Sequence, residues 1–228
     1  ANALLARVGA YYHDVGKIKR TNFFVENQFD GVNPHENIAP ALSALIITSH
    51  TKDGVEMGKA AKLPQVVLDG MLQHHGTGLV SFFYYKILKQ ASDDWENDEE
   101  LKNMFRYEGP KPQIKELGVL MLADSVEASV RSLEKPSPHK VENLIQKIIE
   151  SRVADQQLDE CGLSLRDINL VKQAFIRTYT GLFHQRIQYP DQKRQAPELR
   201  LANPGRSESM TTGNMEDLQR KVDRMWNS

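Results

Sequence analysis

"YYHDVGKIKR" (residues 11–20) sets a histidine and an aspartate side by side where an apolar, helically spaced stretch comes to its end. Leu4, Leu5, Val8, Tyr11 and Tyr12 keep the spacing of one helix face from the first turn, so the pair closes a helix that runs from about residue 2 to His13. Both side chains are good metal ligands. Their meaning depends on whether the rest of the chain brings them partners.

Working outward, the same patterning recurs and strand-like alternation is scarce. A loop bearing Gly, Asn and Pro, "FFVENQFDGVNPHENIAP", leads to the helical "ALSALIITSH", with His50 at its end. "LPQVVLDGMLQHHGTG" reads as a helix opened by Pro64 and stopped by Gly76 and Gly78, with His74 and His75 at its end. "LVSFFYYKILKQA" follows as an apolar helix, and "SDDWENDEELKNMFRYEGPKP" as an acidic, exposed connection. "QIKELGVLMLADSVEASVRSLEKP" is helical up to Pro136. Ser137 then caps a helix beginning at Pro138, and Ser164 with Asp167 forms a capping box for the next. The fold class expected is all-α, in one domain over residues 1–190.

Residues 191–228 are rich in polar residues, Pro and Gly and read as a linker or disordered tail, native or appended; "MEDLQRKVDRMW" within it has the spacing of a short amphipathic helix. The chain opens inside a helix without an initiator methionine and reads as a fragment of a longer protein. Its 29 basic and 30 acidic residues nearly cancel, which gives no field suited to a DNA or RNA polymer, and any phosphate binding must be local. No apolar run approaches the ~20 residues of a spanning helix. The single cysteine, Cys161, excludes an internal disulfide and cysteine-rich zinc sites.

The chemistry lies in the histidines and two aspartates. His13 with Asp14, His50, and His74 with His75 fall at helix ends, and Asp124 lies inside the apolar helix "VLMLADSVEAS". An ionised aspartate among Leu, Met and Val is costly unless a cation, a cap or a salt bridge to Arg131 compensates it. Imidazole and carboxylate without thiolate suit iron, manganese or zinc, and a carboxylate can bridge two ions. Adjacent residues point about 100° apart on a regular helix, so His74 and His75 converge only if the backbone bends at "GTG". His35 and His139 lack such settings, and His184 fits packing with Phe183 and Tyr179.

"HDVGK", His50, "HH" at 74–75 and "ADSVEA" at 123–128 resemble, in order, the motifs of the HD-domain metal-dependent phosphohydrolases. "GVNPHENIAPALSALIITSH" and "ADSVEASVRSL" are similar to the cytoplasmic HD domain of the seven-transmembrane HD (PgpH-type) phosphodiesterases, bacterial enzymes that hydrolyse cyclic di-AMP. The resemblance implies an HD-domain helical bundle holding two divalent transition-metal ions, manganese or iron. Asp14 would bridge them, His13 and Asp124 would hold one, and His50, His74 and His75 the other. It also implies a further histidine ligand on a helix upstream of residue 1. Asp14 and Lys17 take the catalytic roles.

Lys17 would reach the substrate phosphate, its alternative being a surface lysine beside Lys19 and Arg20. Arg131 would contact a second phosphate or pair with Glu127, and Glu127 itself would orient a ligand histidine. Ser43, with Asn33 and His35 of the "NPH" loop, would wall the pocket unless that loop is a structural turn. One of Phe82, Phe83, Tyr84 and Tyr85 is a candidate to stack on adenine. The expected activity is hydrolysis of cyclic di-AMP to linear pApA, the alternatives being cyclic di-GMP or a nucleotide as substrate, or a degenerate nucleotide-binding module. The expected setting is the cytoplasmic side of a bacterial cell-membrane protein anchored by upstream helices, with a homodimer among its assemblies.

Overall fold

A computed structural model describes residues 1–28, 33–89 and 98–184. Among the described residues it is built from helices: α1 (Ala3–Tyr12), α2 (Pro40–Ala60), α3 (Gln65–Gln73), α4 (Ser81–Leu88), α5 (Glu99–Met104), α6 (Lys115–Arg131), α7 (Pro138–Ala154) and α8 (Leu165–His184), with 3₁₀ segments at Val15–Phe23, Val25–Asn27 and Pro34–Glu36. None of them is long and apolar enough to cross a membrane. The expected tail at 191–228 and its amphipathic helix lie outside the described residues, as does the side chain of His184.

Side-chain caps start half of these helices. The Asn2 side chain accepts the backbone N–H groups of Leu4 and Leu5 at the start of α1, and Asp98 does the same for Glu100 and Leu101 at α5. Ser137 caps α7 through the Lys140 N–H. The expected capping box closes α8 from both sides: the Asp167 N–H donates to Ser164 Oγ at 3.1 Å and the Ser164 N–H donates to Asp167 Oδ2 at 3.0 Å.

Packing then gathers the helices around three apolar clusters. α6 lays Met121, Leu122, Val126 and Val130 against Val141, Ile145 and Ile149 of α7, with α8 covering the far side. Val67, Leu68 and Met71 of α3 meet Val8 of α1 and Val55 of α2. A third apolar cluster joins Ala44 of α2, Phe83 and Tyr84 of α4, and Phe105.

Two expectations are corrected. The helix carrying His50 runs on to Ala60, so His50 sits near its middle and not at its end. The glycines that weaken the pattern, Gly54 and Gly58, are buried where neighbours come close, Gly58 against Leu68 and Met71. The acidic connection contains α5, and Phe105 is fully buried because the chain there pairs with Gly78–Val80: Val80 N–H donates to Phe105 O at 2.8 Å and Tyr107 N–H to Gly78 O at 3.0 Å. In the aromatic run, Phe83 and Tyr84 pack inward while Phe82 and Tyr85 face out.

One contact decides where the sequence's opening motif sits. Gly16 lies directly on the backbone of α2, and a Cβ there would stand 2.0 Å from the His50 carbonyl oxygen and 2.4 Å from the Gly54 nitrogen. Only glycine lets the 3₁₀ segment and the helix approach so closely. Gly16→Ala is therefore expected to force the two backbones apart, costing about 1–3 kcal/mol of stability, and to carry Asp14 away from His50. A denaturation midpoint measured together with metal content checks both effects; wild-type values for both would contradict this packing.

Candidate metal centre

His13 and His74 are the first residues past α1 and α3, where helix carbonyls lack amide partners. His13 Nδ1 donates to Ala10 O at 2.9 Å, and His74 Nδ1 to Met71 O at 2.9 Å. His50, inside α2, donates in the same way to Ile47 O at 2.6 Å. Each ring thus spends its Nδ1 proton on the carbonyl three residues back, so the neutral imidazole presents a bare Nε2 to the interior.

These nitrogens converge on Asp14. His50 Nε2 lies 3.1 Å from His74 Nε2, and the two stand 3.3 and 3.7 Å from Asp14 Oδ1. On the carboxylate's other oxygen, His13 Nε2 is 3.2 Å from Asp14 Oδ2, and it is 3.5 Å from Asp124 Oδ1. His75 completes the ring of donors, with Nδ1 3.7 Å from Asp124 Oδ2.

Lone pairs face one another across these gaps. His13 Nε2 and Asp14 Oδ1 are buried and make no hydrogen bond among the described residues. Such atoms are costly unless a cation sits between them. The donors fall into two groups of metal-ligand spacing, Asp14–His50–His74–His75 and His13–Asp14–Asp124, and Asp14 belongs to both. All-nitrogen and oxygen donors of this kind fit divalent transition metals.

The electrostatics keep His74 and His75 neutral and set His13 apart. Burial opposes ionisation of Asp14, yet His13, His50 and His74 overcome it and hold the carboxyl far below its ordinary range. Burial likewise opposes charge on His13, but Asp124 and Asp14 outweigh it and push its pKa up to about 10. Burial pulls His74 down, and burial with the neighbouring His74 and His50 pulls His75 well down. Two of the rings are therefore ready to ligate, and His13 holds a proton where a metal would go.

The remaining expected site residues are placed as follows. Lys17 Nζ contacts Asp14 Oδ2 at 2.7 Å and Glu26 Oε1 at 2.6 Å, which fixes the lysine at the edge of the centre. Arg131 and Glu127 pair with each other at 3.5 Å, both about half exposed, and Glu127 has no hydrogen bond to a site histidine among the described residues. Ser43 is fully buried in α2. The "NPH" loop is a structural turn: Asn33 Oδ1 accepts the His35 N–H at 3.0 Å, and His35 is buried between Phe23 and Phe83. Neither Ser43 nor His35 lines the cleft that opens from His75 and Asp124.

Other residues around the centre carried no sequence signal. Tyr107 stacks on His75 with centroids 4.3 Å apart. Arg106 makes paired contacts to Asp155 at 2.8 and 3.0 Å and donates to Thr77 O at 2.8 Å, while the Gln157 side chain, 80 residues from Thr77, accepts the Thr77 N–H at 2.9 Å. This clamp holds the "GTG" turn that bends His74 and His75 inward; Gly76, at φ +54, has no room for a side chain beside Gln157 and Met121. A cleft of about 640 Å³ opens from His75 and Asp124 between α4, α6 and α7, lined also by Tyr85, Lys147 and Arg152.

A helical bundle that gathers an adjacent His–Asp pair, three further histidines and a distant aspartate defines a histidine–aspartate metal-site class. The sequence matches the HD domain family over residues 1–129, and the chain belongs to that family. Among its relatives, it is 47% identical over 193 residues to the cyclic-di-AMP phosphodiesterase PgpH of Listeria monocytogenes serotype 1/2a (strain 10403S), covering 85% of this chain and 26% of that protein. It is 47% identical over 191 residues to PgpH of Bacillus subtilis (strain 168), covering 84% and 26%. The chain thus spans about a quarter of the length of these relatives. A crystal structure of the L. monocytogenes PgpH HD domain in complex with cyclic-di-AMP superposes with a TM-score of 0.75 at 43% identity, covering 80% of this chain and 82% of that one.

A metal ion held by His13 Nε2 would compete there with a proton. Because the metal-free ring keeps its proton up to about pH 10 while Asp14 and Asp124 are already ionised, loading the site is expected to release about one proton at neutral pH, and affinity to rise as pH rises from 6 to 9. Calorimetric titration with manganese in buffers of different ionisation enthalpy checks the count; binding without proton release would contradict the assigned ligation of His13.

Proposed function

We propose that this chain is the catalytic portion of a metal-dependent phosphodiesterase that hydrolyses cyclic di-AMP to linear pApA. The observation that carries the reading is the division of Asp14 between two donor groups, Oδ1 toward His50 and His74 and Oδ2 toward His13. A carboxylate so shared suits two ions, one held by His50, His74 and His75 and one by His13 and Asp124. Ions of the manganese or iron class, when bound there, supply a nucleophilic hydroxide near neutral pH and neutralise charge on a phosphodiester. The PgpH relatives, and the neighbouring HD domain crystallised with cyclic-di-AMP, support the choice of substrate.

The chain's own residues prepare this chemistry. The backbone carbonyls of Ala10, Ile47 and Met71 hold three imidazoles in the ligating tautomer. Lys17 orients Asp14 and brings a positive charge to the rim, where it can pair with a phosphate oxygen as charge builds. Its ammonium stays protonated: burial opposes the charge, but Asp14 and Glu26 raise its pKa. Water attack at phosphorus needs no protein nucleophile, in keeping with Cys161, which is buried and gives its S–H to Leu158 O. The quarter-length coverage fits a catalytic domain within a longer, membrane-attached protein.

Purified protein supplied with manganese is expected to convert cyclic di-AMP to pApA in preference to cyclic di-GMP and mononucleotides, as read by chromatography of the products. Turnover of another substrate with none of cyclic di-AMP would defeat the assignment. Asp14→Ala is expected to retain its helical circular dichroism, to lose bound metal, and to lose activity by more than about a hundredfold, since changes in the groups behind a ligand alone can cost that much.

A further inference from the structure

The cleft beside the candidate metal centre contains an arginine with a hydroxyl, and not a carboxylate, as its contact partner. Arg152, near the end of α7, sends its guanidinium to Ser125 Oγ, with Nε at 3.3 Å and Nη2 at 3.2 Å. Ser125 directly follows Asp124, so the cation is tethered next to a carboxylate of the centre. Two other cations of the cleft are already paired, Arg106 with Asp155 and Lys102 with Glu99. Arg152 has a neutral hydroxyl as its partner, and among the described residues no carboxylate is in ion-pair contact with it. Burial pulls its pKa down from the ordinary value, against the opposing fields of Asp155, Tyr107 and Asp124.

A cyclic dinucleotide carries two phosphodiesters. If one reacts at the metal centre, the other must lie elsewhere on the protein, and it carries a full charge into whatever cleft receives it. We propose that Arg152 is a substrate-positioning residue whose guanidinium receives the non-reacting phosphate of a dinucleotide, with exposed Lys147 of the same helix at the rim. Ser125 Oγ takes the Nε–Nη2 side of the guanidinium and fixes its orientation before substrate arrives, which leaves the parallel N–H groups of the Nη1–Nη2 end to match phosphate oxygens. Arg131, expected from its spacing to do this work, is paired with Glu127 and does not line the cleft.

The inference rests on the reading of the chain as a cyclic-dinucleotide phosphodiesterase, so its test separates the two. Binding of the linear product pApA to the manganese-loaded protein is measured by calorimetry, alongside KM and kcat for cyclic di-AMP and the metal content of each variant. Arg152→Gln, which keeps the stem and a hydrogen-bonding head but removes the charge, is expected to weaken pApA about tenfold or more and to raise KM more than it lowers kcat. Metal stoichiometry should stay at the wild-type value, Arg152→Ala should behave alike, and Arg152→Lys should recover part of the affinity. Wild-type affinity in Arg152→Gln overturns this role, as does loss of metal together with affinity, which would mark Arg152 as scaffolding. Failure of the wild-type protein to bind pApA or turn over cyclic di-AMP overturns the functional reading itself.

Discussion

The backbone contact between Gly16 and α2 sets the distance on which the centre depends. Asp14 stands two residues before that glycine and His50 supplies the carbonyl it touches, so the approach of the two backbones brings Oδ1 to 3.3 Å from the His50 ring. Lys19 and Arg20, reaching Asp53 and Glu56 from the same 3₁₀ segment, add surface ion pairs that reinforce the register. Such exposed pairs contribute little individually. The steric permission granted by glycine decides the geometry.

Around that contact the protein solves a tautomer problem three times with one device. His13, His50 and His74 each donate Nδ1–H to the carbonyl three residues back, so local helix geometry alone orients the rings and frees Nε2. The result is an interior where ring nitrogens and carboxylate oxygens point at one another. Without a cation such an arrangement is unfavourable, and the free energy of folding elsewhere must sustain it. The α6–α7–α8 core and the clamp of Arg106, Asp155 and Gln157 on the "GTG" turn provide that support from outside the donor set.

The cleft adds a second layer to this design. Its floor is the face of the centre formed by His75 and Asp124, and its wall is α7, which contributes no ligand. Binding a two-phosphate substrate would thus engage helices from both ends of the domain. Tyr85 turns out of the aromatic cluster and lines the same cleft, while Phe83 and Tyr84 serve packing.

Much of this was written locally. Helical periodicity fixed the all-α class, Ser137 and the Ser164–Asp167 pair marked helix starts, and the unusual siting of His13, Asp14, His50, His74, His75 and Asp124 among apolar residues singled out the donors before any was seen to meet another. The extent of α2 was not legible, because Gly54 and Gly58 look like breakers until Gly16, Leu68 and Met71 are seen against them. Nor was Phe105 in an acidic stretch, whose burial depends on pairing with Gly78–Val80. Arg152, Tyr107 and Gln157 acquire meaning only through partners far along the chain. What the sequence by itself determined was the identity of the candidate ligating groups and the helices that carry them, since ligand chemistry and periodicity are local properties. Which of those groups share one carboxylate, and which cation faces the cleft, only the tertiary structure decided, because both follow from how closely two backbones can pack.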